Sequence, residues 1–458
     1  MIESTCSLGV AVVGGGLAGW TAAVRAQELG RDVALIERST RRSGWGNAVI
    51  SGGILHAAFR DPRSAPQELL EAIVDLTGGH TDRAVATAWA HNAAPTISWI
   101  ESHGGKLMTD PADEIRARVF SPVREPVPGL THVGFGAEAF LLGLHHRFVA
   151  AGGLVIQPAR ARQLRKSANG GPQRWEVEIE TAEGLRIIES SSVILADGGF
   201  QANPALLREY LGTDKVKLRA TNTGTGDGLL MGLSVGAKAI NMDLLYGHLL
   251  AREALENDDL WPYPMLDGLA AFGMVVDSRG MRFCDEGISG VSTFNNMAHS
   301  KEPLDNWIVI DDMVWEGVGQ SGVTPPNPHI KHYGGTVLTA PTLGELADRM
   351  GVPRSGLEQS SSDLSGSRKG VSPARTGSVR LEKPPFHAIP IVAGLTFTMG
   401  GLLVDECGRI LNQSHDPIAG LYAAGGTMGG LHGGPNAGYG GGLLEAAIFG
   451  LLAGGDAK

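Results

Sequence analysis

The chain has 458 residues, of which 43% are hydrophobic and 19% are charged. Its net charge of −10 argues against a basic surface of the kind that binds nucleic acid or an anionic membrane. The three cysteines, Cys6, Cys284 and Cys407, are far apart and form no CxxC pair, which excludes a disulfide framework and a haem-attachment motif. The length predicts two or three domains, and the 66 glycines, about twice the usual share, require a structural reason.

The first residues, MIESTCSLGVAVVGGG, have no basic region ahead of their apolar run. We therefore expect no signal peptide, no membrane span and a cytoplasmic, reducing location. No group of histidines, cysteines and acids has the spacing of metal ligands, so no metal site is predicted.

The first predicted unit is a strand, a glycine turn, a helix and a second strand, in VAVVGGGLAGWTAAVRAQELGRDVALIER. Gly14 permits the tight turn, Gly16 lets the backbone approach a pyrophosphate, and Gly19 lets helix and strand pack closely. Glu37 ends the second strand, where a carboxylate accepts hydrogen bonds from ribose hydroxyls. The pattern predicts a dinucleotide site that also includes Leu17, Ala18 and Arg38.

A second glycine-rich loop follows in RRSGWGNAVISGGI. A nicotinamide dinucleotide does not need such a loop, whereas FAD does, because its ribityl chain and ring extend farther. An ordinary surface loop is the alternative. The candidate cofactor residues in this loop are Gly46, Asn47, Ser51, Gly52 and Gly53.

Six segments, taken in chain order, resemble motifs of one flavoprotein family. They are GWGNAVISGG, SVILADGGFQ, TGTGDGLLMG, GMVVDSRGMRFCDEG, TFTMGGLLVD and GLYAAGGTMGGLHGG. The chain resembles the family of fumarate reductases, succinate dehydrogenases, tricarballylate dehydrogenases and 3-ketosteroid dehydrogenases, and is nearest to the last two. The resemblance adds cofactor-binding residues Ala196, Gly198, Gly199, Asp227, Gly425, Gly426, Gly442, Leu443 and Leu444.

The resemblance implies an α/β fold, with a Rossmann-like FAD-binding domain and an inserted α+β capping domain. The FAD-binding domain would comprise residues 1–235 and 380–458, and the cap residues 236–379. A helix from Gly442 would direct its positive end at the flavin. Arg282 and Glu286 would hold a cap hairpin together, and the polar stretch SSSDLSGSRKGVSPARTGS would be a loop.

Two departures from the family pattern concern the cofactor. No histidine stands in SGWGNAVISGG, where membrane-complex relatives attach flavin, so we expect non-covalent FAD. Gly426 stands where the family usually has an acid, so one ribityl hydrogen bond must come from elsewhere.

Further departures concern the substrate. Fumarate-reducing members carry arginines after the GxRFxxE segment and in a C-terminal GANR segment, but this chain has DEGISG and GGPNAGYGG there. Phe397 replaces a family histidine in TFTMGG. Because arginine binds carboxylates through two parallel hydrogen bonds, these losses argue against a C4-dicarboxylate and for a more apolar site.

The ketosteroid-dehydrogenase branch implies a carbonyl that is polarised by a tyrosine hydroxyl and a backbone N–H. Alignment of the final FG matches the tyrosine of that branch with Asn436 and its glycine with Gly440, so the position of the tyrosine stays open. The candidate catalytic residues are Tyr439, Tyr246, His248, His432 and Asn436. The candidate substrate-binding residues are Phe397, Gly440, Met399 and His387. For every catalytic and substrate-binding candidate, the alternative is a purely structural role in packing.

The leading hypothesis is an FAD-dependent dehydrogenase that desaturates a small-molecule ketone, oxo-acid or steroid-like substrate next to its carbonyl. It would pass electrons to an unidentified acceptor, which is oxygen, a quinone or a carrier protein. The alternatives are an ene-reductase acting on an enoate that is not a dicarboxylate, and a flavin-binding electron carrier without its own substrate.

Overall fold

The computed structural model describes residues 3–109, 116–123, 128, 135–167, 174–322, 324–364 and 373–458. The strands of this α/β structure are β1 (Glu3–Val13), β2 (Val33–Ile36), β3 (Leu107–Met108), β4 (Val119–Phe120), β5 (Leu154–Ile156), β6 (Arg160–Lys166), β7 (Trp175–Thr181), β8 (Gly184–Leu195), β9 (Lys217–Leu218), β10 (Ala239–Ile240), β11 (Leu245–Ala251), β12 (Met274–Val276), β13 (Asn306–Asp311), β14 (Leu338–Ala340), β15 (Phe386–Thr398), β16 (Gly401–Leu403), β17 (Arg409–Leu411), β18 (Pro417–Ala423) and β19 (Met428–Gly429).

The helices are α1 (Leu17–Glu28), α2 (Asn47–Ile50), α3 (Pro66–Leu76), α4 (Arg83–Ser102), α5 (Gly136–Ala150), α6 (Pro204–Leu211), α7 (Asp227–Ser234), α8 (Asp267–Ala271), α9 (Gly290–Ala298), α10 (Asp312–Glu316), α11 (Pro326–His332), α12 (Leu343–Met350), α13 (Arg354–Leu364) and α14 (Gly442–Asp456). Within the described ranges, no helix combines the length and apolar character needed to cross a bilayer.

The main sheet has the strand order β17-β18-β8-β1-β2-β5, with β7 also paired to β8 and β6 to β7. Strands β18, β8, β1, β2 and β5 pair parallel along this path, whereas β17 pairs antiparallel with β18. The apolar runs at Val10–Val13 and Val33–Ile36 are buried, as expected for central strands that are covered on both faces. The sheet therefore joins the two ends of the chain, because β18 belongs to the last fifty residues.

Helix α14 packs directly against α1. A Cβ atom on Gly454 would lie 2.3 Å from the carbonyl oxygen of Ala22, so only glycine permits this approach. This packing brings the amino-terminal ends of α1 and α14 to the same side of the main sheet, at the carboxyl ends of β1 and β18. In open α/β sheets, ligands bind at this edge.

A second sheet has the order β11-β15-β13-β12, with β14 and β9 also paired to β15. Strand β15 is its centre: residues 386–391 pair with β13, and residues 391–398 pair with β11. The predicted domain boundary at residue 380 therefore precedes a strand that pairs with strands of the predicted cap. The boundaries themselves stay predictions.

Two predictions for the cap segment can be compared with the structure. Arg282 lies 2.6 Å and Arg375 lies 2.8 Å from the Glu286 carboxylate, and all three side chains are buried. Residues 360–364 of the predicted polar loop instead end α13, where Ser360 and Leu364 pack inward. The part of that loop from 365 to 372 lies outside the described residues.

Candidate functional site

One cavity of about 430 Å³ reaches from the amino-terminal end of α1 to that of α14. Its first part is bounded by the turn after β1, by Glu37 at the end of β2 and by the loop around Asn47. Its second part is bounded by aromatic side chains from β11, β15 and the segment before α14. The lining residues thus come from both ends of the chain and from the second sheet.

The glycine turn at the first end has the geometry that its spacing predicts. Gly14 has φ +102°, and a Cβ there would lie 2.5 Å from the Ala196 carbonyl oxygen. A Cβ on Gly16 would meet no atom within 4 Å, so this backbone faces open cavity space. Glu37 accepts hydrogen bonds from Gly15 N at 2.6 Å and Ser39 N at 2.7 Å, which orients its carboxylate at the cavity wall.

Most predicted cofactor residues line the cavity. These are Gly14, Gly16, Leu17, Ala18, Glu37, Arg38, Gly46, Asn47, Ser51, Gly52, Ala196, Gly198, Gly199, Asp227, Gly425, Gly426, Gly442 and Leu443. Three predicted residues lie behind the wall instead: Gly19, whose added Cβ would be 1.8 Å from Gly14 O, Gly53, which packs on Phe120, and the buried Leu444. These three residues contact other parts of the protein and do not face the cavity.

Asn47 connects the second glycine loop to the other sheet. Its Nδ2 donates to the Thr396 carbonyl at 2.8 Å, and its Oδ1 accepts from Thr221 N at 3.1 Å. The loop is therefore fixed against β15 and against the segment that follows β9.

Asp197 is a lining residue that the sequence analysis did not assign. Burial raises the pKa of its carboxyl to about 7, although hydrogen bonds from Gly228 N and Thr427 oppose the shift. It occupies the serine or threonine position of the family's A-[ST]-GGF motif, and that departure was the available signal. Asp227, which lines the cavity nearby, forms a bidentate pair with Arg160 at 2.6 and 2.7 Å.

Tyr246 and Tyr439 form the aromatic part of the wall. Their rings stack with centroids 3.9 Å apart, and Phe397 lies 5.3 Å from Tyr246 and 5.6 Å from Tyr439. The Tyr439 hydroxyl oxygen accepts the Gly442 N–H at 2.8 Å. Burial raises the pKa of Tyr246 to about 12 and the pKa of Tyr439 well above its usual value. Both hydroxyls are therefore neutral at pH 7 and have a proton to donate.

Two histidines line the same part of the cavity. His248 Nδ1 lies 3.3 Å from Asp267 Oδ1, and its ring meets that of Tyr246 edge-on at 5.3 Å. His56, which the sequence analysis did not assign, accepts Phe59 N at Nδ1, and burial lowers its pKa to about 4. His56 is therefore a neutral imidazole at pH 7, with its proton on Nε2. His56 follows the second glycine-rich loop and belongs to none of the family-like motifs, so no sequence pattern pointed to it.

His432 and Gly440 lie behind the cavity wall. The His432 ring is buried between Glu445 Oε2, 2.9 Å from its Nε2, and Gly440 N, which donates to its Nδ1 at 3.0 Å. Both ring nitrogens are thus engaged with the protein. The N–H of Gly440, predicted to contact a substrate carbonyl, is committed to His432. Glu445, which the sequence analysis did not assign, reaches the wall itself.

Three more predicted residues are not brought to the cavity. Asn436 is exposed in the turn ahead of Tyr439, and Met399 is buried where its backbone N–H donates to Leu244. His387 is buried in β15, at the end of that strand away from the cavity, between Thr339 and Asp312. Tyr439, Tyr246, His248 and Phe397 are the predicted catalytic or substrate residues that the structure does bring together.

The wall also contains an arginine, Arg219, that the sequence analysis did not assign. It follows β9, and its guanidinium donates to Pro262 O at 2.9 Å and to Thr396 Oγ1 at 3.2 Å. The missing arginines noted in the sequence concern DEGISG and GGPNAGYGG, so Arg219 adds a cation to a wall that was expected to be more apolar. Arg219 directly precedes the ATNTGTGDG segment, which contains the family-like TGTGDG motif, and this proximity was the available signal.

The residues present fit the FAD that the sequence predicts. The open backbone at Gly16, the oriented Glu37 carboxylate and the N–H groups at the start of α1 suit the dinucleotide end. The start of α14 supplies partial positive charge at the other end of the cavity. No group of three or more potential metal ligands occurs among the described residues.

Similarity to known proteins supports FAD as the ligand of this cavity. Residues 9–443 match a protein family described as FAD binding domain. The chain is 25% identical to a probable fumarate reductase of Shewanella frigidimarina, over 98% of this chain and 74% of that relative. It is 29% identical to the 4-oxocyclohex-2-ene-1-carboxylate 5-dehydrogenase of Sinomonas cyclohexanicum, over 59% of this chain and 51% of that one.

The fold has solved counterparts. The 3-ketosteroid-delta4-(5alpha)-dehydrogenase of Rhodococcus jostii RHA1 has a TM-score of 0.74 at 20% identity, over 100% of this chain and 97% of that chain. This similarity concerns the fold alone. The chain spans about half of the length of two further curated relatives.

Proposed function

This chain belongs to the FAD binding domain family and is an FAD-dependent oxidoreductase of CH–CH groups, and from this premise we propose that it is a dehydrogenase that forms a C=C bond next to a carbonyl. The observation that carries the proposal is the pair of neutral tyrosine hydroxyls beside a histidine in one cavity. Bound FAD would supply the acceptor for a hydride from the carbon β to that carbonyl.

The tyrosine hydroxyls polarise the carbonyl. Removal of an α proton places negative charge on the carbonyl oxygen, and a neutral O–H donor stabilises that charge. Tyr439 is suited to this because its oxygen already accepts the Gly442 N–H, so its own proton is directed elsewhere. The stacked ring of Tyr246 supports Tyr439 and supplies a second hydroxyl to the same wall.

His248 removes the α proton. Its Nδ1 lies beside the Asp267 carboxylate, which orients the ring and leaves Nε2 for the cavity. This is the usual arrangement of a general base with an orienting acid. The proton taken by His248 and the hydride leave the substrate as two hydrogens, and the C=C bond remains.

A flavin-binding electron carrier does not need such a group of side chains. An ene-reductase would run the same chemistry in reverse and would need a proton donor for the α carbon. The dehydrogenase direction is favoured because DEGISG supplies no arginine where fumarate-reducing relatives have their proton donor. The reoxidising acceptor is an unidentified oxidant, namely oxygen, a quinone or a carrier protein.

The test is anaerobic mixing of the FAD-loaded protein with saturated cyclic ketones and oxo-acids, while the visible flavin absorbance is recorded. Bleaching by a saturated ketone supports the proposal. Reoxidation of the chemically reduced flavin by the matching enones, without bleaching by the ketones, identifies an ene-reductase instead. A flavin that responds to neither class identifies a carrier.

A further inference from the structure

We propose that Arg219 binds a carboxylate of the substrate, so that the substrate is a small oxo-carboxylate rather than a neutral ketone or steroid. The inference rests on the proposed function, whose substrate class it narrows. Its basis is an arginine in the wall of the catalytic cavity whose guanidinium has hydrogen-bonding capacity to spare.

The spare capacity follows from the contacts of Arg219. A guanidinium has five N–H donors in a planar fork. Nε donates to Pro262 O at 2.9 Å, Nη1 donates to Thr396 Oγ1 at 3.2 Å, and Nη2 lies 3.5 Å from Met265 Sδ. One N–H on each terminal nitrogen therefore remains, which is the pair that a carboxylate accepts. The Tyr263 ring lies 5.1 Å away and covers one face of the cation.

The acidic groups at the cavity are engaged with partners other than Arg219. Glu37 and Asp197 accept main-chain N–H groups, and three further acids pair with cations or imidazoles. Asp227 pairs with Arg160, Asp267 lies beside His248, and Glu445 lies beside His432. Among the residues that the structure describes, no acid forms a salt bridge with Arg219. A half-buried arginine without a negatively charged partner is not compensated for its lost hydration. A bound anion from outside the protein would supply the negative charge that Arg219 lacks.

The position of Arg219 favours the substrate over the nucleotide as its anion. Arg219 N donates to Leu395 O on one side of β15, and Tyr246 pairs with Phe397 on the other side. Two strand spacings, roughly 10 Å, therefore separate the main chains of Arg219 and Tyr246. The glycine turn after β1 bounds the first part of the cavity, whereas Arg219 contacts Thr396, which precedes Phe397 of the aromatic part. A ring that directs its ketone to the tyrosines can direct its carboxylate to Arg219.

The test compares two substrates. One is an oxocyclohexane carboxylate whose ketone and carboxylate are on opposite sides of the ring, and the other is the same compound with a neutral carboxamide in place of the carboxylate. We expect kcat/KM to be about 10²-fold higher for the carboxylate, and expect Arg219→Met to abolish that preference. Arg219→Lys should restore part of it, because a charge remains. Arg162→Met is the matched control, since Arg162 is exposed and pairs with Glu180 on the outer strands.

A binding measurement keeps the inference testable if neither compound is turned over. Calorimetry on the FAD-loaded protein would compare para-hydroxybenzoate with para-hydroxybenzamide, two aromatic mimics of the enol. Preference for the benzoate that disappears in Arg219→Met supports the site even where the proposed dehydrogenation fails. If the parent protein binds the benzoate and the benzamide with equal affinity, the inference is overturned while the proposed function stands. Loss of FAD from Arg219→Met also overturns it, since Arg219 would then serve the nucleotide.

Discussion

Replacement of Tyr439 by phenylalanine tests the role of the hydroxyl group while it keeps the ring. The ring stacks on Tyr246 at 3.9 Å and contacts Phe397, so its packing is retained. The hydroxyl oxygen accepts the N–H of Gly442, the first residue of α14, and the loss of this neutral hydrogen bond costs about 0.5–1.5 kcal/mol of folding stability. An N–H in the first turn of a helix has no partner within the helix, and water in the cavity can satisfy it.

The catalytic effect of Tyr439→Phe should be much larger than its effect on folding. Removal of one donor to a developing oxyanion lowers turnover by about 10²–10³-fold, which corresponds to about 2.7–4 kcal/mol. The assay is the rate of anaerobic flavin bleaching by a saturated ketone substrate, with FAD content and thermal midpoint measured beside it. Tyr422→Phe is the control, because it removes a hydroxyl that donates to Asp456, and Tyr422 does not line the cavity.

Bleaching by Tyr439→Phe at the parental rate would refute the assignment of the carbonyl donor to Tyr439. Tyr246→Phe and His56→Ala would then be the next variants, because these side chains line the same wall. A slow rate with lost FAD would instead show that the tyrosine supports the cofactor.

Three further predictions concern the cofactor, the buried acid and the substrate class. Glu37→Ala should weaken FAD retention, measured by dialysis and absorbance, because the ribose loses an acceptor that Gly15 N and Ser39 N hold in place; unchanged affinity would remove Glu37 from the ribose site. Burial raises the pKa of Asp197 to about 7, so the folded state holds this proton more tightly than the unfolded chain and stability falls as pH rises from about 4 to about 7. The thermal midpoint of flavin-free Asp197→Asn should therefore rise relative to the parent across that window, and a constant difference would contradict the shift. Fumarate should not reoxidise the reduced flavin at a useful rate, since no arginine stands in DEGISG or PNAGY, and rapid anaerobic reoxidation would contradict this.

The sequence predicted those parts of the site that backbone geometry determines. The GxGxxG turn, Glu37 at the end of β2 and the helix start at Gly442 depend on short local patterns, and the structure has each where it was expected. The FAD family and the α/β fold are confirmed as well, because several motifs occur in a fixed order.

The substrate side was less predictable because its walls come from segments that are distant in sequence. Arg219 and Tyr246 come together only after β9 and β11 pair with opposite sides of β15. Tyr246 was a candidate from the sequence, whereas the lining residues Arg219 and His56 were not assigned from it. In the glycine segment near the C-terminus, Asn436, Tyr439 and Gly440 were all expected to contact the substrate. Instead the turn of this segment exposes Asn436 and commits Gly440 N to His432, so Tyr439 is the candidate side chain of this segment that lines the cavity.

Product analysis after a single anaerobic turnover tests the central claim most directly. The FAD-loaded protein would be mixed with an excess of a saturated oxocyclohexane carboxylate, and the bleached mixture would be analysed by mass spectrometry. We predict one molecule of enone for each flavin that is reduced. The enone should have two hydrogen atoms fewer than the substrate, with its C=C bond next to the ketone. Bleaching without an enone, or an enone whose C=C bond is remote from the carbonyl, would contradict carbonyl-activated desaturation in this cavity.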